Sequence, residues 1–293
     1  MGLPTDQTGE RSDDPSTACA CGDHTLRAGL RSRFHGSLAL RDVGPRPPPH
    51  PPRRRLRRHR AAGGEGAQEG AYAIHKLTDD YPSMTIDDGY AVQAELRKRY
   101  LAKGHQLVGW KAGLTSKAKM EQMGVHVPSI GFLTNKMART EDVGIKTSEM
   151  VHPRVECEVA FVTNKDLKGP HCTLQDVLAA TEYVLPAVEI IDSRFSGFKF
   201  DLASVVADNG SSARFVTGKT KLSPEDINLQ KIGVVMKKNG EQIAQGESSA
   251  VLGHPAEAIA MLVNILSEQD EILPAGSFVM SGGITEAFPV QPG

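Results

Sequence analysis

The chain has 293 residues, 39% of them hydrophobic, enough to bury the core of one large domain or two ordinary ones. No run of about 18 consecutive apolar residues is present, so no segment reads as a membrane-crossing helix. A net charge of −1 hides an asymmetry: residues 1–60 hold twelve Arg against six acidic residues, leaving the body of the protein mildly acidic and a poor match for broad nucleic-acid binding.

The first part of the chain has no lysine before Lys76 and carries a Pro-rich tract over 45–52, followed by an Arg-rich run over 53–60. It shows no sustained apolar period, and residues 1–70 are expected to form a disordered Pro/Arg-rich extension. The arginine run could serve as an anionic-surface arm. The six acidic residues within 1–60 argue against a transit peptide, and the abrupt compositional change fits a misassigned start as well as it fits a genuine tail. The four cysteines, Cys19, Cys21, Cys157 and Cys172, form no paired C-x-x-C set, which points to a reducing, cytoplasmic setting without disulfides.

From Tyr72 onward the pattern is globular. Thr85 and Asp88 have capping-box spacing ahead of Ile86, Tyr90, Gln93, Leu96 and Tyr100, predicting a helix. Gln106–Lys111 reads as a strand and Ser116–Met123 as a helix closed by Gly124. Val155–Val162 is a strand, a helix begins near Thr173, and Tyr183–Asp192 is a second, largely buried strand. Asn239-Gly240 between apolar runs predicts a tight hairpin. His254-Pro255 opens a helix with Ile259, Leu262, Val263 and Leu266 on one face, and Ser277–Ser281 is a late strand. The mixture predicts an α/β (α+β) fold.

Three acidic residues stand out. Glu156 and Glu158 point the same way from an apolar strand because successive side chains alternate faces, while Cys157 between them faces the other way. Two adjacent carboxylates among apolar neighbours repel each other and lose solvation unless they are protonated or hold a cation. Taken alone, the pair reads more readily as a solvated strand face at a sheet edge. Glu189 lies in the second apolar strand, and three carboxylates from two such strands suit a hard cation, Mg²⁺ or Mn²⁺. Lys111, at the end of an apolar strand before a tight turn, is a candidate proton carrier with a pKa depressed by a nearby metal, or a snorkelling surface lysine. Asp192 and Arg194 read as a structural ion pair.

The order of motifs G-W-K-A-G-L-T-S, E-C-E, P-A-V-E-I-I-D-S-R, V-V-A-D-N-G-S-S, L-G-H-P-A and L-P-A-G-S-F-V-M-S-G-G-I-T, from Tyr72 onward, resembles the hydratase/decarboxylase branch of the fumarylacetoacetate hydrolase superfamily. The resemblance implies a mixed β-barrel or β-roll core with a helical N-terminal subdomain. It also implies a Mg²⁺ or Mn²⁺ on Glu156, Glu158 and Glu189, and a catalytic Lys111. The segments around Phe198–Leu202, Ala260–Leu262 and Ser281–Thr285 are similar to the decarboxylases of the branch. Ser129 stands where its hydratases tend to carry an aspartate. A decarboxylase acting on a 2-oxo-enedioate is therefore expected, with a dienoate hydratase as the alternative and an inactive scaffold for a hydratase partner as another.

The resemblance further implies substrate contacts at Asn209 and Thr285, each with a turn or capping role as the other reading. Lys199 and Arg194 are candidates for the distal carboxylate, and a homo-oligomer associated with a hydratase is implied. Residues 71–128 would form the helical subdomain carrying the Lys111 strand, and 129–293 the metal-binding core. That core is expected to lack the closing strands that follow in similar proteins.

Overall fold

The computed structural model describes residues 53–291, apart from 117–119, 122–124 and 126, with the backbone alone at 53–57 and 59. The helix expected over Ser116–Met123 and the extension before residue 53 lie largely outside the described residues.

The expected disorder through residue 70 does not hold for its final part. Arg53–Gly70 forms helix α1, which buries Ala61 and Ala67 and sets Glu65 against Arg99 and Lys103, on and just after helix α3 (Ile86–Ala102). Alanine is the strongest helix former yet adds little apolar contrast, so a helix seated on small residues and ion pairs leaves a weak hydrophobic period. A short helix, α2 (Leu77–Asp80), leads to Tyr81, whose ring lies under the Arg60 guanidinium at 3.5 Å.

Helix α3 starts where predicted. Thr85 accepts from the Asp88 backbone N–H and the Asp88 carboxylate accepts from that of Thr85, so both halves of the capping box are present. Its inner face buries Val92, Leu96 and Tyr100. Gln93 is buried with them, and its amide donates to the carbonyls of Ile130 at 2.8 Å and Val206 at 2.9 Å. That one side chain ties α3 to strand β2 (Ser129–Thr134) and helix α5 (Leu202–Ala207).

The framework is a curled, eight-stranded mixed sheet. Its strands are β1 (Leu107–Gly113), β2, β3 (Ala138–Arg139), β4 (Pro153–Thr163), β5 (Thr181–Asp192), β6 (Ser212–Thr217), β9 (Phe278–Met280) and β10 (Phe288–Pro289), in the order β2-β1-β9-β4-β5-β6-β3 with β10 also on β4. Contacts β1–β9 and β3–β6 are parallel and the others antiparallel. The predicted Asn-Gly hairpin joins β7 (Gly233–Lys238) to β8 (Glu241–Glu247) as a separate pair. Asn239 and Gly240 both have positive φ, 52° and 86°, as a type I′ turn requires.

Thr173 caps the short helix α4 (Leu174–Ala179), and His254 caps α6 (Pro255–Ser267) by accepting the Ala256 N–H on Nδ1 at 3.0 Å. All four residues predicted for the apolar face of α6 are buried: Ile259, Leu262, Val263 and Leu266. At roughly 1.5–3 kcal/mol for each large aliphatic side chain removed from water, this stripe anchors the helix to the core. The stretch Ser248–Ser267 has a mean hydropathy of 1.4, a value also reached by membrane spans. Its helix proper is 13 residues long, about 20 Å, with eight residues buried against the protein.

Candidate metal centre and its cavity

Strands β4 and β5 run antiparallel in a register that sets Glu156 directly opposite Glu189, with Glu158 opposite Ala187. Both strands are apolar over this stretch, so all three carboxylates are carried into the interior, at 5%, 3% and 1% exposure. One oxygen from each lies within 4.8 Å of the others.

The fourth charge is brought in by curvature. Lys111 sits on β1, three strands from β5, which in a flat sheet would place it about 14 Å away. Here its Nζ lies 3.1 Å from Glu189 Oε2. Only a sheet that curls can bring these strands face to face. The stem of Lys111 runs close to Gly210, which has φ +60°, and a Cβ there would fall 2.9 Å from Lys111 Cε.

The remaining partners fix the carboxylates. Ser212 Oγ donates to Glu189 Oε1 at 3.2 Å, and the Gly282 N–H donates to Glu158 Oε2 at 2.7 Å. Gly282 has φ +105°, and a Cβ there would sit 2.0 Å from Thr115 Oγ1, so only glycine offers its N–H at this point. Glu158 Oε1 is buried with no hydrogen-bond partner.

The electrostatics match that geometry. Burial, then the charges of Glu189 and Glu156, push the Glu158 carboxyl well above the usual carboxylate range. Burial also raises Glu189, with Lys111 opposing. For Lys111, burial works to lower the pKa, but Glu189, Glu156 and Glu158 outweigh it and hold the ammonium above its ordinary value. That direction belongs to the three carboxylates facing Lys111 without a cation between them; the depression expected beside a bound metal is a separate matter. Three buried carboxylates converging within 4.8 Å, with Glu158 Oε1 lacking a hydrogen-bond partner among the described residues, fit a divalent metal held by Glu156, Glu158 and Glu189.

The site opens into a cavity of about 800 Å³ whose walls include Lys111, Ser129, Arg154, Glu156, Phe198 and Thr285. That is ample for a small organic acid. A neighbouring cavity of about 930 Å³ shares Arg154, Gly197 and Phe198 with it but has no acidic residue in its lining. The chemistry belongs to the smaller one.

The sequence candidates separate on this geometry. Thr285 lines the cavity, is 2% exposed, and accepts the Cys157 N–H on Oγ1 at 3.1 Å. Asn209 is buried, at φ +55°, and spends its amide on the backbone of Phe132, accepting from its N–H at 2.8 Å and donating to its C=O at 2.9 Å. The turn reading of Asn209 is the one its contacts match; its neighbours Gly210 and Ser211 reach the cavity instead.

Arg194 is not in the cavity wall. It is 1% exposed, and Nε bonds Asp208 at 2.5 Å while the other nitrogens reach the carbonyls of Asp192, Ser212 and Asp208. The expected Asp192–Arg194 pair is corrected at the same time: the Asp192 carboxylate accepts the N–H groups of Val151 and His152. Every donor of Arg194 named here is taken up within the protein, so it is a structural tie. Lys199 is exposed and also absent from the cavity lining. Sequence reasoning missed Arg154, Ser212 and Gly282. Arg154 shares the strand face of Glu156 by the same alternation that singled out the glutamates, whereas Ser212 and Gly282 had no signal outside their motifs.

No protein-family model matches the chain. It is 52% identical over 229 residues to 4-oxalocrotonate decarboxylase of Pseudomonas sp. strain CF600, covering 78% of this chain and 87% of that one. It is 39% identical over 229 residues to 2-hydroxyhexa-2,4-dienoate hydratase of Comamonas testosteroni, with the same coverage. The crystal structure of 4-oxalocrotonate decarboxylase from Pseudomonas putida G7, complexed with magnesium and adipate, superposes with a TM-score of 0.80 and 49% identity, covering 82% of this chain and 91% of that one. With these relatives, the curled mixed sheet and the buried carboxylate triad beside Lys111, the chain belongs to the hydratase/decarboxylase branch of the fumarylacetoacetate hydrolase superfamily.

Proposed function

We propose that the chain decarboxylates 4-oxalocrotonate (2-oxohex-3-enedioate) to 2-hydroxypenta-2,4-dienoate and CO₂, with a bound Mg²⁺ or Mn²⁺, in the meta-cleavage catabolism of aromatic compounds. The observation that carries this reading is the buried triad with Lys111 beside it, on a chain 52% identical to a named decarboxylase. Identity to the hydratase above is lower, at 39%. Ser129, buried on β2 and lining the cavity, leaves this position without a carboxylate to assist addition of water.

Glu156, Glu158 and Glu189 hold the metal, which when bound supplies Lewis acidity at the 2-oxo and 1-carboxylate oxygens. Breaking the bond to the distal carboxylate releases CO₂ and leaves its electron pair on the carbon chain. Conjugation delivers that pair to the 2-oxo oxygen. Lys111, whose Nζ lies 3.1 Å from Glu189 beside the triad, donates a hydrogen bond or a proton to that oxygen, giving the 2-hydroxydienoate. Thr285 and Ser129 contact the substrate from the walls. The buried setting excludes water, strengthening each of these interactions. The protein works in a cytoplasmic setting as a homo-oligomer, in association with the hydratase that consumes its product.

Incubation with 2-oxohex-3-enedioate and Mg²⁺ should release CO₂, and chelation should abolish the release. Addition of water to 2-hydroxypenta-2,4-dienoate without CO₂ release from the diacid would replace this reading with the hydratase. CO₂ release only in a mixed complex would reduce the chain to a scaffold.

A further inference from the structure

The proposed substrate carries two carboxylates, and the metal accounts for one. We infer that Arg154 is the residue that recognises the second, making this cavity selective for dicarboxylates; this rests on the proposed reading of the site. The charged side chains of the cavity wall are Lys111, Arg154, Glu156 and Glu286. Lys111 is committed to Glu189. Arg154 has no carboxylate partner among the described residues, and its guanidinium lies over the ring of Phe198, with Cζ 4.2 Å from the centroid.

Its place on the strand suits the task. Arg154 lies two residues before Glu156 on β4, on the same face, with Cα atoms about 7 Å apart. An extended six-carbon diacid separates its carboxyl carbons by roughly 6 Å, from carbon–carbon bonds near 1.5 Å. A substrate with one end beside Glu156 therefore has its other end within reach of Arg154. A guanidinium is the apt cation for this, since its planar fork accepts a carboxylate in bidentate fashion and stacks on an aromatic face. Stacking on Phe198 restricts the side chain before substrate arrives, lowering the entropy cost of binding.

The chemistry limits what the contact can contribute. The carboxylate held by Arg154 leaves as neutral CO₂, so a charge-assisted bond to it is weakened in the transition state. Arg154 is thus a specificity residue whose loss is felt in KM more than in kcat.

The test is binding of adipate and of hexanoate, equal in length but with one carboxylate, to the Mg²⁺-loaded full chain by calorimetry. The wild type should prefer adipate. Arg154→Met should weaken adipate about tenfold to a hundredfold while leaving hexanoate and Mg²⁺ affinity unchanged. Arg154→Lys, which retains charge without the fork, should keep part of the preference. Equal weakening of both acids, or an undiminished preference in Arg154→Met, would overturn the assignment. Should the wild type fail to decarboxylate the diacid yet lose its adipate preference with Arg154, the reaction would be refuted while the recognition residue stands.

Discussion

Glu158→Gln provides a test in which stability and function move in opposite directions. In the metal-free protein the Glu158 carboxylate is buried, faces Glu189 and Glu156, and leaves Oε1 without a partner. Its pKa in the fold lies well above its ordinary value of 4.5. The folded state therefore binds the proton more tightly than the unfolded state, and stability is lost as pH rises from about 4.5 towards the folded pKa. Glutamine removes the charge, keeps the shape, and still offers an oxygen to the Gly282 N–H. At pH 7 the metal-free variant should melt above the metal-free wild type, and its stability should fall less with rising pH. Metal reverses the ranking. Mg²⁺ at a hundred times its dissociation constant stabilises the wild type by about 2.7 kcal/mol, which for a fold of this size is roughly 5–11 °C in Tm. The variant, short of one ligand, should show little of this shift. Thermal melts at several pH values, with and without Mg²⁺, measure both effects. A lower melting point for the metal-free variant, or a full Mg²⁺ shift in it, would refute the reasoning that this carboxylate is strained without a cation and relieved by one.

Lys111→Met should abolish CO₂ release while leaving Mg²⁺ binding intact or tighter, because the ammonium paired with Glu189 is gone; titration of the metal alongside the activity assay checks both halves. Gln93→Leu strands the carbonyls of Ile130 and Val206 and should cost about 2–4 kcal/mol, read from urea unfolding. His254 caps α6 through Nδ1, a role open only to neutral imidazole, and burial lowers its pKa from 6.5. The stability it contributes is complete above about pH 6.5 and is lost as pH falls through the lower folded value. His254→Asn, which caps through an amide oxygen, should flatten that part of the pH–stability profile.

The residues legible in the sequence share one property: their signal is local. The capping box at Thr85 and Asp88, the type I′ pair at Asn239-Gly240 and the buried face of α6 are each decided within a few residues. Glu156, Glu158 and Glu189 were legible because carboxylates in apolar strands are anomalous wherever those strands pair. Pairings set by the fold were not legible. The sequence pairs Arg194 with Asp192 two residues away, but its carboxylate partner is Asp208, placed by the turn after α5. That Lys111 would reach Glu189 from three strands away depended on the curl of the sheet. Helix α1 escaped because alanine and ion pairs, rather than a large apolar stripe, seat it on α3.

The amide of Asn209 has a further consequence. Strand β2 ends the sheet, and one side of it would otherwise present bare N–H and C=O groups, the kind of border along which a second chain can add a strand. Asn209 meets the N–H and C=O of Phe132 with its own C=O and NH₂, imitating a neighbouring strand with a single side chain. It is rooted beside Ser212, at the start of β6 near the opposite end of the strand order. One amide thus joins the β2 edge to the turn that leads into β6, linking parts of the sheet that no backbone pairing connects.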